Sequence, residues 1–300
     1  NDFLLVQPAV LGNKIVGLSS CTSHLIDLGG RGMGPEGTDV HDEVLFLPPV
    51  KLADKGVVNQ MLLDIIRANS REPVQNEGDA YALMASCDVG CSRLVDMMSE
   101  FGVDDLSQLS NHIIETSLDA AGDAISEVPN GEYSYDLKLD GYDFEIDLRA
   151  KLTVTDREMV CDMTGSSPCA KVGINVPLNY ATAYAVFGMR CIVGSDMPNN
   201  AGSLAPFKVT APEGCIVNAQ FPAPVAMRHT IGQLMPDLVF GCLAQALPDQ
   251  VPAEGASCMY DLPLRHVPEA AQHGHAHFAI ELVFSGGTGA RPLLDAPDLK

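Results

Sequence analysis

Positive charge is scarce in this chain. Lys and Arg total 18 against 39 Asp and Glu, a net charge of -21 over 300 residues. So acidic a surface disfavours phosphate backbones and anionic membranes as partners. It is compatible with divalent cations, with a more basic partner subunit, or with solubility alone. The apolar runs are broken by Pro, Gly and Asp, so neither a membrane span nor a signal peptide is read. The nucleotide signatures G-x-G-x-x-G and G-x-x-x-x-G-K-[ST] are missing, as are repeats and low-complexity tracts. A close-spaced disulfide framework is missing too. The nine cysteines, spread from Cys21 to Cys258, read as reduced thiols of a cytoplasmic protein.

What is present can build a core. Hydrophobic residues make up 46% of the chain and charged residues 19%, which excludes disorder and allows one large domain or two ordinary ones. Residues 3–10 and 15–18 alternate as strands around a turn at Leu11–Lys14, a hairpin. With a three-residue loop Asp2 falls opposite His24; with a two-residue loop the register shifts by one and they point to opposite faces. Three helical stretches follow, at about 57–69, 77–101 and 104–125, the last with Asp104 or Asp105 as N-cap. Residues 131–164 read as three antiparallel strands. Helices at about 178–193 and 229–247 flank two short strands within 207–217, and a last strand covers 277–284. The fold class predicted is α+β, with mixed, mainly antiparallel sheets and an inserted helical subdomain. The segments are an N-terminal β region (1–54), a helical subdomain (55–128) and an α+β region (129–300). Both ends read as cut from something longer.

The densest chemistry lies at Thr22–Gly30, where a strand-like run ends in His24, Asp27 and the glycine pair Gly29 and Gly30. His and Asp hold divalent metals or move protons near neutral pH. Glycines allow a sharp turn or close approach to a ligand. Asp2 and His24 together suit Zn²⁺ or Mn²⁺, with further ligands needed; the bland alternative is an exposed Asp and a strand-end His with no shared role. Asp27 either orients His24 from behind or caps the glycine turn. Cys87 and Cys91, four apart on one helical face, are either half a metal site or small core residues. His273, His275 and His277 would share one face if they formed a strand. Asp162–Ser167 reads as a structural or substrate-contacting turn, with no nucleophile elbow. Arg228 is an anion clamp or a helix-end salt bridge.

Taken in order, these motifs resemble a known family, the B-type subunits of ATP-dependent hydantoinases. That family is similar to one half of 5-oxoprolinase, to caprolactamase and to the large subunits of acetone and acetophenone carboxylases. The resemblance runs through Asn1–Asp2, Ser23–Gly30, Pro48–Leu52, Asn69–Arg71, Gly78–Asp79, Asp162–Ser166, Gly173–Asn175, Pro198–Gly202, Pro212–Gly214, Pro222–Ala223 with Arg228, and Gly286–Pro292. It implies a divalent metal, Zn²⁺ or Mn²⁺, held by an upstream Asp, a His-x-x-Asp motif and a His about 22 positions later. Asp2 matches the last Asp of that motif and His24 the later His; the other two ligands would precede residue 1. Beside this set, Asp27 is expected behind the metal ligands, Glu43 as a proton carrier and Arg228 as an anion clamp. The resemblance implies further that ATP is bound by an actin-like ATPase partner of the hydantoinase A type, not by this chain, in a cytoplasmic hetero-oligomer. That partner phosphorylates a carbonyl or enol oxygen of a small-molecule substrate. The expected reaction is cyclic amide hydrolysis; the alternatives are ketone carboxylation and a non-catalytic scaffold.

Overall fold

The structure, a computed structural model, describes residues 2–26, 28–32, 34–256, 259–266, 278–287 and 289–290. It divides into two units, one of residues 1–32, 43–110 and 262–282, the other of residues 33–42, 111–261 and 283–300.

The first unit is built on the hairpin of β1 (Asp2–Leu11) and β2 (Lys14–His24). Phe3, Leu5, Gln7 and Ala9 alternate with more exposed neighbours along β1, the pattern of a strand covered on one face. The short helix α1 (Val40–Glu43), of which only Glu43 belongs to this unit, precedes an extended stretch. A small hairpin of β3 (Ala53–Asp54) and β4 (Val57–Val58) then leads to α2 (Gln60–Ala68) and α3 (Pro73–Glu100); α4 (Ser107–Ser126) starts in this unit, and its residues from 111 onward belong to the second.

The sequence pattern places the first helix three residues too early. Lys55 and Gly56 both have positive φ, 50° and 81°, and turn the chain into β4. The β-branched pair Val57 and Val58 suits a strand. Asn59 then caps α2 by accepting the Leu62 amide at 3.3 Å. Pro73, in the first turn of α3, starts that helix earlier than the apolar spacing suggests. Asp105 accepts the Ser107 amide at 2.7 Å at the start of α4.

The covered face of the hairpin lies on α3. Small residues set the spacing: a side chain at Gly17 would overlap Leu94, and one at Gly90 would overlap Ser19. Beyond β2, Leu25 and Leu28 plug into a core with Leu62, Leu63, Ile66 and Ala80. Each buried leucine contributes roughly 2 kcal/mol. Arg67 and Glu77 form a bidentate ion pair that ties α2 to α3.

The second unit holds a four-stranded sheet in the order β5 (Gly131–Leu139), β6 (Ile146–Thr155), β7 (Glu158–Asp162), β8 (Phe207–Thr210). The first three are antiparallel, while β8 runs parallel to β7. A parallel neighbour requires a crossover, supplied here by α5 (Leu178–Ile192) and α6 (Ala201–Leu204). Ile146, Leu148, Ala150, Leu152 and Val154 of β6 are all buried. Against this sheet pack α5 and α8 (Met235–Leu243), with α7 (His229–Gly232) just before α8. A methyl group at Gly188 would lie 2.8 Å from the Pro236 Cα, so α5 and α8 meet closely there.

Two expectations are corrected in this unit. The helix expected over 229–247 is broken into α7 and α8, because Pro236 has no N–H to donate back one turn and instead sits in the first turn of a new helix. Only β8 forms within 207–217. Gly214, at φ 79°, turns the chain, and the Asn218 amide bonds back to the Cys215 carbonyl at 2.9 Å. Finally, β9 (Met259–His266) and β10 (Phe278–Ser285) pair as a separate two-stranded sheet, of which β9 was not anticipated. Among the described residues no helix is long and apolar enough to cross a membrane.

Half-buried Asp237, in the first turn of α8, shows a perturbed acidity. Burial pushes its carboxyl up to about 6, and neighbouring Glu254 adds to the shift. From about pH 4 to about pH 6 the folded chain keeps a proton that the unfolded chain releases, so stability falls as pH rises through that window. Asp237→Asn should abolish the fall. Thermal melts should show variant and wild type alike near pH 4 and the variant more stable near pH 7. An equal difference at both pH values would count against this assignment.

Candidate metal centre

The open end of the β1–β2 hairpin brings Asp2 and His24 together. The turn is the two-residue kind, with Leu11 paired to Lys14 around Gly12 and Asn13, which by itself would put the two residues on opposite faces. A bulge prevents this. Val10 pairs with Ile15 but Ala9 pairs with Gly17, so Val16 is an extra residue that restores the register. Asp2 then stands directly across from His24, and the His24 Nδ1 contacts the Asp2 carboxylate. Both side chains are on the face away from α3; the His24 side chain is 81% exposed and that of Asp2 41%.

Directly after His24 the chain is anchored by Leu25, 2% exposed. Leu28 accepts the Leu45 amide at 2.9 Å, and the Gly29 amide bonds to the Asn69 carbonyl at 2.7 Å. Gly29 and Gly30 have φ of 68° and 62°. A side chain at Gly30 would overlap the Glu43 carbonyl. The close approach that the glycine pair permits is therefore to the chain's own backbone at Glu43–Leu45. Glu43 is buried, at 5% exposure. Asp27 lies outside the described residues.

A carboxylate oxygen and an imidazole nitrogen on adjacent strands form a two-donor fragment that fits Zn²⁺ or Mn²⁺. Their exposure leaves room for more donors. Among the described residues no third His, Cys, Asp or Glu joins them. A structural or catalytic zinc site takes at least three protein ligands.

The remaining candidates have other surroundings. Arg228 belongs to the second unit, where its guanidinium lies over the Tyr180 ring, 5.5 Å from the centroid, and Tyr180 stacks on Tyr184 at 4.6 Å. In the Asp162 turn, the Asp162 carboxylate accepts the Thr164 amide at 3.0 Å and its hydroxyl at 2.7 Å. These bonds hold the carboxyl below the usual range, the side-chain bond being the larger cause. Ser166 and Ser167 accept the Arg149 and Asp147 amides of β6. The hydroxyls of the turn are thus bonded to the sheet. Cys87 and Cys91 pack beneath the hairpin. His273, His275 and His277 lie outside the described residues.

Two features escaped the sequence reading. The Cys21 thiol meets that of Cys87 at 3.4 Å. Cys21 has the inward parity on β2, the one available signal. Buried Asn175 donates to the carbonyls of Ala170, Val172 and Pro224 and accepts the Ala170 amide. It stood within a quoted motif without a role.

Residues 1–299 match the family profile described as hydantoinase B/oxoprolinase. The chain is 32% identical over 264 residues to the B-type subunit of a "Putative D-/L-hydantoinase" of Pseudomonas sp. strain NS671, covering 82% of this chain and 45% of that protein. It is 26% identical over 302 residues to the beta subunit of caprolactamase from Pseudomonas jessenii, covering 98% and 52%. The crystal structure of the ATP-dependent caprolactamase from the same organism superimposes with a TM-score of 0.79 at 26% identity, over 85% of this chain and 45% of that one. Nucleotide-free acetone carboxylase shares the fold, with a TM-score of 0.79 at 13% identity over 99% and 44%. The chain thus spans about half the length of the curated relatives it matches. By its sequence profile over nearly every residue, and by a fold shared with these relatives, the chain belongs to the hydantoinase B/oxoprolinase family.

Proposed function

We propose that this chain carries part of the metal-bearing catalytic subunit of an ATP-dependent hetero-oligomer that hydrolyses a cyclic amide of the hydantoin, oxoproline or lactam class. The observation that carries the reading is the cross-strand pair Asp2 and His24, brought into register by a bulge and left open to solvent. The names of the hydantoinase and caprolactamase relatives support the hydrolytic branch and the existence of a partner subunit.

In this reading Asp2 and His24 hold Zn²⁺ or Mn²⁺ together with donors beyond the two seen here. When bound, the ion supplies Lewis acidity. Asp27 orients the His24 ring. Glu43, buried beneath the glycine turn, carries a proton, and Arg228 fixes an anionic group of substrate or phosphate with its planar fork. ATP is bound by an actin-like ATPase partner of the hydantoinase A type. The missing nucleotide signatures support that division of labour. Eight cysteines among the described residues are free thiols, which supports a cytoplasmic setting.

The test is turnover of the full-length protein assembled with its ATPase partner. Hydantoin, 5-oxoproline and a lactam are offered with ATP, with and without bicarbonate, and the metal content is measured in parallel. Ring opening that needs ATP but not bicarbonate, with a divalent metal bound, is expected. Carbon gain that needs bicarbonate would replace hydrolysis by ketone carboxylation. A complex with neither metal nor turnover would leave a scaffold.

A further inference from the structure

Two thiols meet where the hairpin rests on α3, with a third one helical turn away, and the proposed reaction uses none of them. The Sγ atoms of Cys21 and Cys87 are 3.4 Å apart. Cys21, half-buried on the inward face of β2, donates to the Leu83 carbonyl at 3.3 Å. Cys87 is fully buried, with its Sγ 3.7 Å from the Ser19 carbonyl and 3.9 Å from that of Leu5. Cys91, one turn further along α3, lies 3.6 Å from the Gln7 carbonyl.

We propose that Cys21 and Cys87 are a disulfide-forming pair, oxidised by a low-molecular-weight disulfide such as glutathione disulfide, and that the bond joins β2 to α3. A disulfide spans about 2.05 Å, so the gap must close by roughly 1.4 Å, a shift within reach of side-chain rotation. The Cys21 thiolate attacks one sulfur of glutathione disulfide. A mixed disulfide forms, and the departing glutathione thiolate takes up the proton that Cys21 lost. Cys87 then attacks the Cys21 Sγ. The protein S–S bond forms, the bond to glutathione breaks, and the second glutathione leaves with the Cys87 proton. Two protein thiols are oxidised and one glutathione disulfide is reduced to two thiols. Burial pushes the Cys87 thiol up, with the bond to Cys21 adding to the shift. The more exposed Cys21 therefore reacts first and Cys87 resolves. The product fixes β2 three residues before His24, and its formation does not depend on the metal reading.

Full-length protein is incubated with glutathione disulfide, alkylated, digested without reductant and read by mass spectrometry. The expected product is a Cys21–Cys87 linked peptide pair, lighter than the two thiol peptides by two hydrogens, about 2 Da, and reversed by dithiothreitol. Cys21→Ser should lose the link. Cys87→Ala, and Cys87→Ser should the alanine variant misfold, should instead trap glutathione on Cys21. Circular dichroism confirms that each variant remains folded. Stable glutathione on Cys21 of the wild type, a link between other cysteines, or no oxidation at all would overturn the proposal.

Discussion

Alanine at His24 is expected to strip the assembled enzyme of its bound metal and lower kcat/KM by on the order of a thousandfold. Lewis-acid stabilisation by a metal is worth several kcal/mol, and each 1.36 kcal/mol is about tenfold in rate. The stability of the metal-free protein should be unaffected. The His24 side chain is 81% exposed, and its contact with Asp2 is a surface pair of little worth. The two effects therefore separate when melts are run after chelation: metal content and turnover fall while the metal-free variant melts within about a degree or two of the metal-free wild type. Asp2→Asn keeps an oxygen donor but removes its charge, so it should weaken metal retention less than Asp2→Ala. Elemental analysis beside a thermal melt decides the matter. Unchanged metal and turnover in His24→Ala would remove the pair from the site.

The largest stability loss is expected at Asn175. Its side chain donates to three carbonyls, at 3.0 Å to Ala170, 3.1 Å to Val172 and 3.0 Å to Pro224, and accepts the Ala170 amide at 2.7 Å. Asn175 is completely buried, and it ties the 170–175 loop to the segment entering Arg228. Asn175→Ala would leave the Ala170 amide and the Ala170 and Pro224 carbonyls without this partner, at roughly 1–3 kcal/mol for each group left unsatisfied, partly relieved by relaxation, while the Val172 carbonyl keeps the Ile174 amide at 2.8 Å. A net loss of about 3–5 kcal/mol follows, on the order of 10 °C in melting temperature for a unit of this size. Asn175→Asp should be no better, because it presents a carboxylate to three carbonyls. A loss under about 1 kcal/mol in Asn175→Ala would mean that the two loops are held together by other contacts.

Periodicity revealed what it physically encodes. The alternation in 2–11 and 131–162 and the helical spacing in 60–126 and 178–192 reflect one covered face each, so strands and helices were legible. Boundaries governed by single residues were less so: Lys55 and Gly56 at positive φ start a turn, and Pro236 divides a helix. The parallel pairing of β7 with β8 joins a strand that ends at Asp162 to one that begins only at Phe207, and it carries no local signal. At the candidate site the nearness of Asp2 to His24 was readable from hairpin geometry, but the choice between registers was not, because the bulge that decides it leaves no mark in the alternation of residues. The meeting of Cys21 with Cys87, 66 residues apart, was invisible because it depends on how two elements dock.

The bulge at Val16 makes the hairpin a device in which parity, and not length, is what matters. A lone insertion or deletion in the Gly12–Asn13 turn would exchange inside for outside along the rest of the hairpin. Cys21 would be turned toward solvent and His24 toward the helix. Gaining or losing a bulge at the same time would cancel the exchange. Relatives with longer or shorter hairpins can therefore keep the same pair of facing side chains, provided that turn and bulge change together. Aligning such chains by residue count alone would misassign the donors by one position.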